Sequence, residues 1–226
     1  MENQFKQIAT LIGDPTRATI LWTLLEGKAF TATELAVAAE TSPQNISMHL
    51  AKLVHAGLLC VERQGRHRYY KFSRKDIAYG IEAMANLIPY TETTKSIPGE
   101  NNSPIKYCRT CYDHLAGKVG VLITDSLIQQ KIIVDKTNSF TVSARGQKWF
   151  SNLDINIDNL KQERRFLIRP CLDWSERRHH MAGSLAASLL DKMLSADWLR
   201  KTKNSRAVII TGKGQKKLYE YFNISL

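Results

Sequence analysis

Five side chains able to bind a soft metal ion lie in two short stretches of the second half: Cys108-x-x-Cys111-x-x-His114, then Cys171 followed by His180. Three thiolates with one or two imidazoles supply the donors of a tetrahedral site for zinc, cadmium or lead. Two other readings stay open. A lone Cys-x-x-Cys also suits a thiol redox pair. The repeated His-x-Ala-Gly also suits a packing motif whose imidazole is bonded to a nearby carboxylate such as Asp113. Cys111 beside His114 offers a nucleophile and a base, but no orienting third group or oxyanion motif accompanies them, so an enzyme is not expected.

A second set of residues suits a different chemistry. Ser42, Gln44, Asn45, Ser47, Met48 and His49 fall within eight positions. Gln and Asn pair in bidentate fashion with adenine, and Ser serves any base. A helix N-terminus adds its own N–H groups for phosphate. Further on, Arg63, Arg66, His67 and Arg68 can approach phosphates or an adjacent minor groove without sequence specificity. The plain alternatives are a solvated helix face and a solvated turn.

The elements that must position these residues are legible. Ser42 before Pro43 predicts a helix start, and Gly57 after Ala56 predicts its stop. Between them Ile46, Leu50, Leu53 and Val54 fall at helical spacing as a buried stripe. The preceding TATELAVAAE places Leu35, Ala36, Ala38 and Ala39 on one side, joined by a short link at Glu40 and Thr41. After Gly57, Leu59, Val61, Tyr70 and Phe72 recur at strand spacing around Gln64, Gly65 and Arg66, which predicts a hairpin with a charged tip. Helix, tight turn, helix and basic hairpin make the layout of a winged helix that reads DNA. Cys60, alone in the first wing strand, is expected in the core.

From Ile12 to Ser73 the chain resembles the ArsR/SmtB family of bacterial winged-helix repressors. The carriers are Asp14-Pro15-Thr16-Arg17, Ser47 with His49-Leu50, Ala56-Gly57-Leu58, and Gly65-Arg66 before Tyr69-Tyr70. The resemblance implies a homodimer on a pseudopalindromic double-stranded operator that blocks transcription and lets go when an effector binds. It also implies that a helix around residues 5–11 and a last helix over residues 76–90 pair the two subunits, with Ile81, Met84, Ala85 and Ile88 as the apolar stripe. Two sites often used by metal sensors of the family have no counterpart. Ala36-Val37-Ala38 stands where paired cysteines would be, and the last helix carries no His.

At 226 residues the chain needs a second folded unit. The expected organisation is a DNA-binding and dimerisation domain over residues 1–95, a polar linker over 96–106 and a regulatory domain over 107–226. The linker reads from the two Pro, one Gly and few apolar residues of TETTKSIPGENNSPIK. Residues 114–155 and 180–224 echo each other, with Ser143-Ala144-Arg145-Gly146 aligned to Thr211-Gly212-Lys213-Gly214, and read as an internal duplication. Each copy predicts a helix, a short hairpin and a capped closing helix. The expected fold class is therefore mainly α with small β-hairpins (α+β): a winged helix-turn-helix followed by two wing-like helix-hairpin-helix repeats. Val119, Leu122, Leu127, Trp149 and Phe150 would pack against Leu185, Leu189, Met193, Trp198 and Leu218, with an effector site at the junction. Asp173 to Arg178 reads as the cap and first turn of the second repeat helix, and Trp174 as a residue that could equally line the pocket.

Net charge is +11, with 12 Lys+Arg against 10 Asp+Glu in residues 1–106 and 20 against 11 in 107–226. A surface so cationic favours polyanions, nucleic acid first, and predicts steep salt dependence of binding. The same excess equally fits a solubilising surface, or a second half that only adds DNA or protein contacts. The absence of an apolar leader or a long apolar run, with only four Cys, predicts a cytoplasmic, reducing setting without membrane contact. Sequence thus predicts a DNA-binding regulator whose second half senses an effector: a thiophilic ion, a redox change or a small organic ligand.

Overall fold

The computed structural model describes residues 1–88, 103–137, 139–203 and 205–226. They form two units, Met1–Ala85 and Asn86–Leu226, each with its own apolar core.

The first unit runs α1 (Glu2–Ile12), α2 (Pro15–Leu24), β1 (Phe30–Thr31), α3 (Ala32–Ala38), α4 (Pro43–His55), β2 (Leu59–Gln64), β3 (His67–Phe72) and α5 (Lys75–Ala85). Local chemistry sets the helix starts. The Asp14 carboxylate accepts from Arg17 N, Thr31 and Glu34 form a reciprocal capping box, and Ser42 Oγ accepts from Asn45 N. Gly57, at φ 71°, ends α4 in the left-handed conformation that a Cβ disfavours. The sheet order is β1-β3-β2, and pairing of Gln64 with His67 leaves Gly65 and Arg66 as a two-residue turn. Ile46, Leu50 and Leu53 of α4 pack with Ile20, Leu35 and Leu59.

In β2 Leu59 is buried and Val61 is 39 % exposed. Two expectations need correction here. Cys60 is half-buried rather than enclosed, with Sγ 3.7 Å from the Phe72 carbonyl oxygen. In the stripe assigned to subunit pairing, Ile81 and Ala85 are already buried within the chain, whereas Met84 and Ile88 are exposed.

In the second unit a short helix α6 (Pro104–Tyr107) precedes β4 (Arg109–Cys111), β5 (His114–Ala116), α7 (Gly117–Gln129), β6 (Ile133–Lys136), β7 (Ser139–Val142), α8 (Ala144–Ser151) and α9 (Ile157–Lys161). Then follow β8 (Arg169–Leu172), β9 (His179–Ala182), α10 (Ser184–Ser195), β10 (Leu199–Lys201), β11 (Val208–Ile210) and α11 (Gly212–Phe222). Hairpin, helix, hairpin, helix therefore occurs twice in order. The helix, second hairpin and closing helix lie where sequence put them; the leading hairpin of each set was not expected. Residues 96–102 of the expected linker lie outside the described residues, and its end is folded into α6, whose Ile105 is buried.

Asp173–Arg178 does not cap a helix. Pairing of Leu172 with His179 makes these residues the loop of the β8–β9 hairpin, where Asp173 Oδ1 accepts from Ser175 N and Glu176 N. The second-unit core gathers Val119, Leu127 and Phe150 with Leu185, Leu189, Met193, Trp198 and Leu218, while Leu122 and Trp149 pack at its edge. Between α7 and α10 the packing leaves a void of about 20 Å³, about the room one water needs. Among the described residues no helix is long and apolar enough to cross a membrane.

Each closing helix begins with the same close approach to its own hairpin. Ser143 Oγ and Thr211 Oγ1 accept from Gly146 N and Gly214 N. A Cβ on Gly146 would meet the Ile132 oxygen at 2.1 Å, and on Gly214 the Trp198 oxygen at 2.0 Å. Gly146→Ala and Gly214→Ala are each expected to cost about 1–3 kcal/mol by overpacking. Urea midpoints within experimental error of the parent would contradict this.

Candidate functional site

The polar start of α4 and the β2–β3 tip are the candidate nucleic-acid interface. Ser42, Gln44 and Ser47 are exposed, and Met48 is 49 % exposed. Asn45 is half-buried, its Nδ2 donating to Thr41 Oγ1 at 2.7 Å, and the Ser47 hydroxyl donates to the Pro43 carbonyl at 2.7 Å. Gln44 is thus the long amide best placed to reach outward. At the tip Arg63, Arg66, His67 and Arg68 are all exposed, and Arg66 Nε lies 3.4 Å from His67 Nε2.

His49 does not belong to this face. It is 6 % exposed, with Nδ1 3.4 Å from Asp14 Oδ1 and 3.5 Å from Arg17 Nη1. Arg17 is itself buried and donates to the carbonyls of Leu11 and Thr10 at 2.6 and 3.1 Å. This group ties α4 to the start of α2. Its Asp14 carboxyl is held below the usual carboxylate range, chiefly by the Arg17 backbone N–H. His49→Gln is expected to cost about 1–3 kcal/mol of first-unit stability while leaving the choice between DNA sequences intact. A variant as stable as the parent but altered in base preference would overturn that assignment.

The Cys/His residues separate into one cluster and one outlier. Cys111, His114, Cys171 and His180 bring their donor atoms within 4.8 Å of one another. Each leading hairpin supplies one thiol and one imidazole from directly opposed positions: Cys111 faces His114, and Cys171 faces His180. The two rings meet through Nε2 atoms 3.1 Å apart. Cys108, grouped with them by sequence, is instead packed in the apolar core, where burial pushes its thiol up to about 12.

Carboxylates back both rings. His114 Nδ1 is 3.2 Å from Asp113 Oδ1, and Asp113 is held by Arg165 Nη1 at 2.6 Å. His180 Nδ1 is 3.2 Å from Asp173 Oδ2. That approach is close enough for charge contact but too skewed for a formed hydrogen bond. Asp173 accepts from Arg109 Nη2 at 3.0 Å and Gly117 N at 2.7 Å, and the Arg109 guanidinium stacks over Trp174 at 4.8 Å. Trp174 therefore braces this buried pair.

The electrostatics follow from these partners. Burial alone would raise the Asp173 pKa, but His180, Arg109 and Ser175 outweigh it and hold the carboxyl far below its ordinary value. Burial opposes charging of His180, yet Asp173 and Cys111 raise its pKa. The Cys111 thiol is pushed up to about 12, first by its hydrogen bond with Cys171 and then by burial. Sequence reasoning named Asp113 as a partner of His114 but missed Arg109 and Arg165, and it took Asp173 for a ligand or a helix cap rather than the carboxylate behind His180. The signal was present: Arg109-x-Cys111-x-Asp113 recurs as Arg169-x-Cys171-x-Asp173.

Comparison with known proteins places the first unit among helix-turn-helix domains: a family model described as a helix-turn-helix domain matches residues 12–62. Over its whole length the chain is 38 % identical across 226 residues to HTH-type transcriptional regulator YdfF of Bacillus subtilis (strain 168), covering all of both chains. Solved structures similar to this chain include HlyU from Vibrio cholerae, 24 % identical over 38 % of this chain and 92 % of that one, TM-score 0.35. The transcriptional repressor BigR from Xylella fastidiosa is 20 % identical over 40 % of this chain and 91 % of that one, TM-score 0.37.

Proposed function

The chain belongs to the family of HTH-type transcriptional regulators that includes YdfF of Bacillus subtilis, and from that premise we propose that it is a homodimeric repressor with an ArsR-type winged helix as its first unit, controlled through its second unit. The observation that carries the reading is the two-sidedness of α4. Ile46, Leu50 and Leu53 are buried, while Gln44, Ser47 and Met48 look outward close in sequence to a fully exposed basic hairpin tip. A helix so presented can lie in the major groove while the tip grips the flanking backbone.

Dimerisation is supported by what the first unit leaves uncovered. No residue of α1 is buried, and Phe5, Trp22 and Met84 are 72, 45 and 45 % exposed. A second copy is the partner of matching chemistry for such a surface. The repeated element order of the second unit and its matched glycines support an internal duplication, which we take to be the control element. An effector acting there would shift the population of dimer geometries and move the reading helices away from half-sites about 34 Å apart, relieving repression.

Footprinting on the DNA upstream of the chain's own gene tests this. Two protected half-sites roughly one helical turn apart are expected. Protection of a single half-site would overturn the dimer, and absence of any protected site would overturn sequence-specific repression.

A further inference from the structure

We propose that Cys111, His114, Cys171 and His180 form a closed tetrahedral zinc site that staples the β4–β5 and β8–β9 hairpins together. The geometry points to it from three directions. First, directly opposed residues of an antiparallel pair project to the same face, so each hairpin presents one sulfur and one ring nitrogen to a common point, and all four donors fall within 4.8 Å. A zinc ion bound to two imidazoles at about 2.05 Å in tetrahedral geometry holds the nitrogens about 3.3 Å apart, and to two thiolates at about 2.3 Å holds the sulfurs about 3.8 Å apart. The observed Nε2 to Nε2 distance is 3.1 Å. The widest donor separation would have to close by up to about 1 Å to admit the ion.

Second, both rings turn Nδ1 toward a carboxylate, Asp113 for His114 and Asp173 for His180, each at 3.2 Å. At His114 the contact with Asp113 favours the tautomer that leaves the Nε2 lone pair toward the shared point and makes it a stronger donor; at His180 the Asp173 carboxylate acts through charge, and a small turn of the ring would complete the same hydrogen bond. Two lone pairs facing each other at this range repel unless a proton or a cation lies between them. The carboxylates are themselves fixed, Asp113 by Arg165 and Asp173 by Arg109 and Gly117 N. Orientation is thus built in from outside the donor set.

Third, the donor set chooses the ion. Two sulfurs with two nitrogens in a tetrahedron are one of the standard donor sets of structural zinc. Four protein ligands leave no open position, the pattern of a structural rather than a catalytic centre. When the ion enters, the two thiols release their protons to solvent, and two thiolates balance its charge. A staple here joins residues about sixty positions apart on two separate hairpins.

Cobalt titration of the reduced, chelator-treated full-length chain tests the proposal without reference to DNA. Saturation at about one ion per chain is expected, with the visible bands of tetrahedral cobalt and a thiolate charge-transfer band, both removed by added zinc. Cys111→Ser and Cys171→Ser should each weaken that band and lower affinity at least about tenfold, and Cys60→Ser should match the parent. Zinc should raise the melting temperature of the parent but not of Cys111→Ser. Octahedral cobalt spectra, no saturation near one ion, or parent-like binding by both cluster variants would overturn it. A parent that takes no metal but forms a Cys111–Cys171 disulfide with diamide would overturn it too.

Discussion

Arg109→Met is expected to be among the most destabilising single substitutions in the second unit, lowering its stability by about 3–5 kcal/mol. Arg109 is wholly buried and donates to Asp173 Oδ2, the Ile105 carbonyl and Ser175 Oγ, each at 3.0 to 3.1 Å. Methionine keeps much of the volume but leaves the fully enclosed Asp173 carboxylate without its guanidinium, and the desolvation cost of that charge is then only partly offset by Gly117 N and Ser175. The effect should appear as a drop of about 10 °C or more in the melting temperature of the second unit. The pair can be separated from the position: an Arg109→Met, Asp173→Leu double variant should recover part of the loss, because no buried charge remains. A double variant worse than the sum of its singles would show that the network's value lies in its hydrogen bonds rather than in charge balance.

Gln44→Ala and Arg66→Ala are expected to fail in different ways. Gln44 lies on the outward side of the α4 N-terminus, so its loss should reduce discrimination between base pairs by about 1–3 kcal/mol at the position it reads. Arg66 occupies the turn of the wing; its loss should weaken binding to all sequences alike and lower the salt slope by about one. Equilibrium titrations at several salt concentrations on matched and mutated duplexes separate the two effects. A Gln44→Ala chain with a lower salt slope and unchanged base preference would mean that α4 meets only the backbone.

Much of the first unit was legible because its local signals agree. Ser42-Pro43, Thr31 with Glu34, and Gly57 mark helix ends through backbone groups a few residues away, and Gly65-Arg66 fits a two-residue turn. His49 was misplaced although the spacing held the answer: Ile46, His49, Leu50 and Leu53 are the i, i+3, i+4 and i+7 positions of one buried face. Its polarity suggested the DNA side, but Arg17 and Asp14, more than thirty residues earlier, make burial tolerable. No local rule shows such distant partners.

The Cys/His cluster was only partly legible for a similar reason. The Cys108-x-x-Cys111 spacing suggests two ligands of one site, yet Cys108 falls just before β4, where strand alternation sends it to the opposite side from Cys111. The pairing of Cys171 with His180 was hidden by the six-residue loop 173–178, which the first hairpin lacks. Recognising both leading hairpins requires extending the repeat back to Arg109 and Arg169, where the motif is only three positions in five and carries no periodicity.

The claim on which the rest stands is that the first unit selects one duplex sequence through α4. Competition binding of the full chain to the DNA upstream of its own gene, against a shuffled duplex of equal length and composition, measures it directly. The account predicts a preference of roughly a thousandfold or more at moderate salt for the parent, and collapse of that preference, with residual affinity for either duplex, when Gln44, Asn45 and Ser47 are all changed to Ala. Equal affinity of the parent for both duplexes, or an undiminished preference in the triple variant, would contradict it.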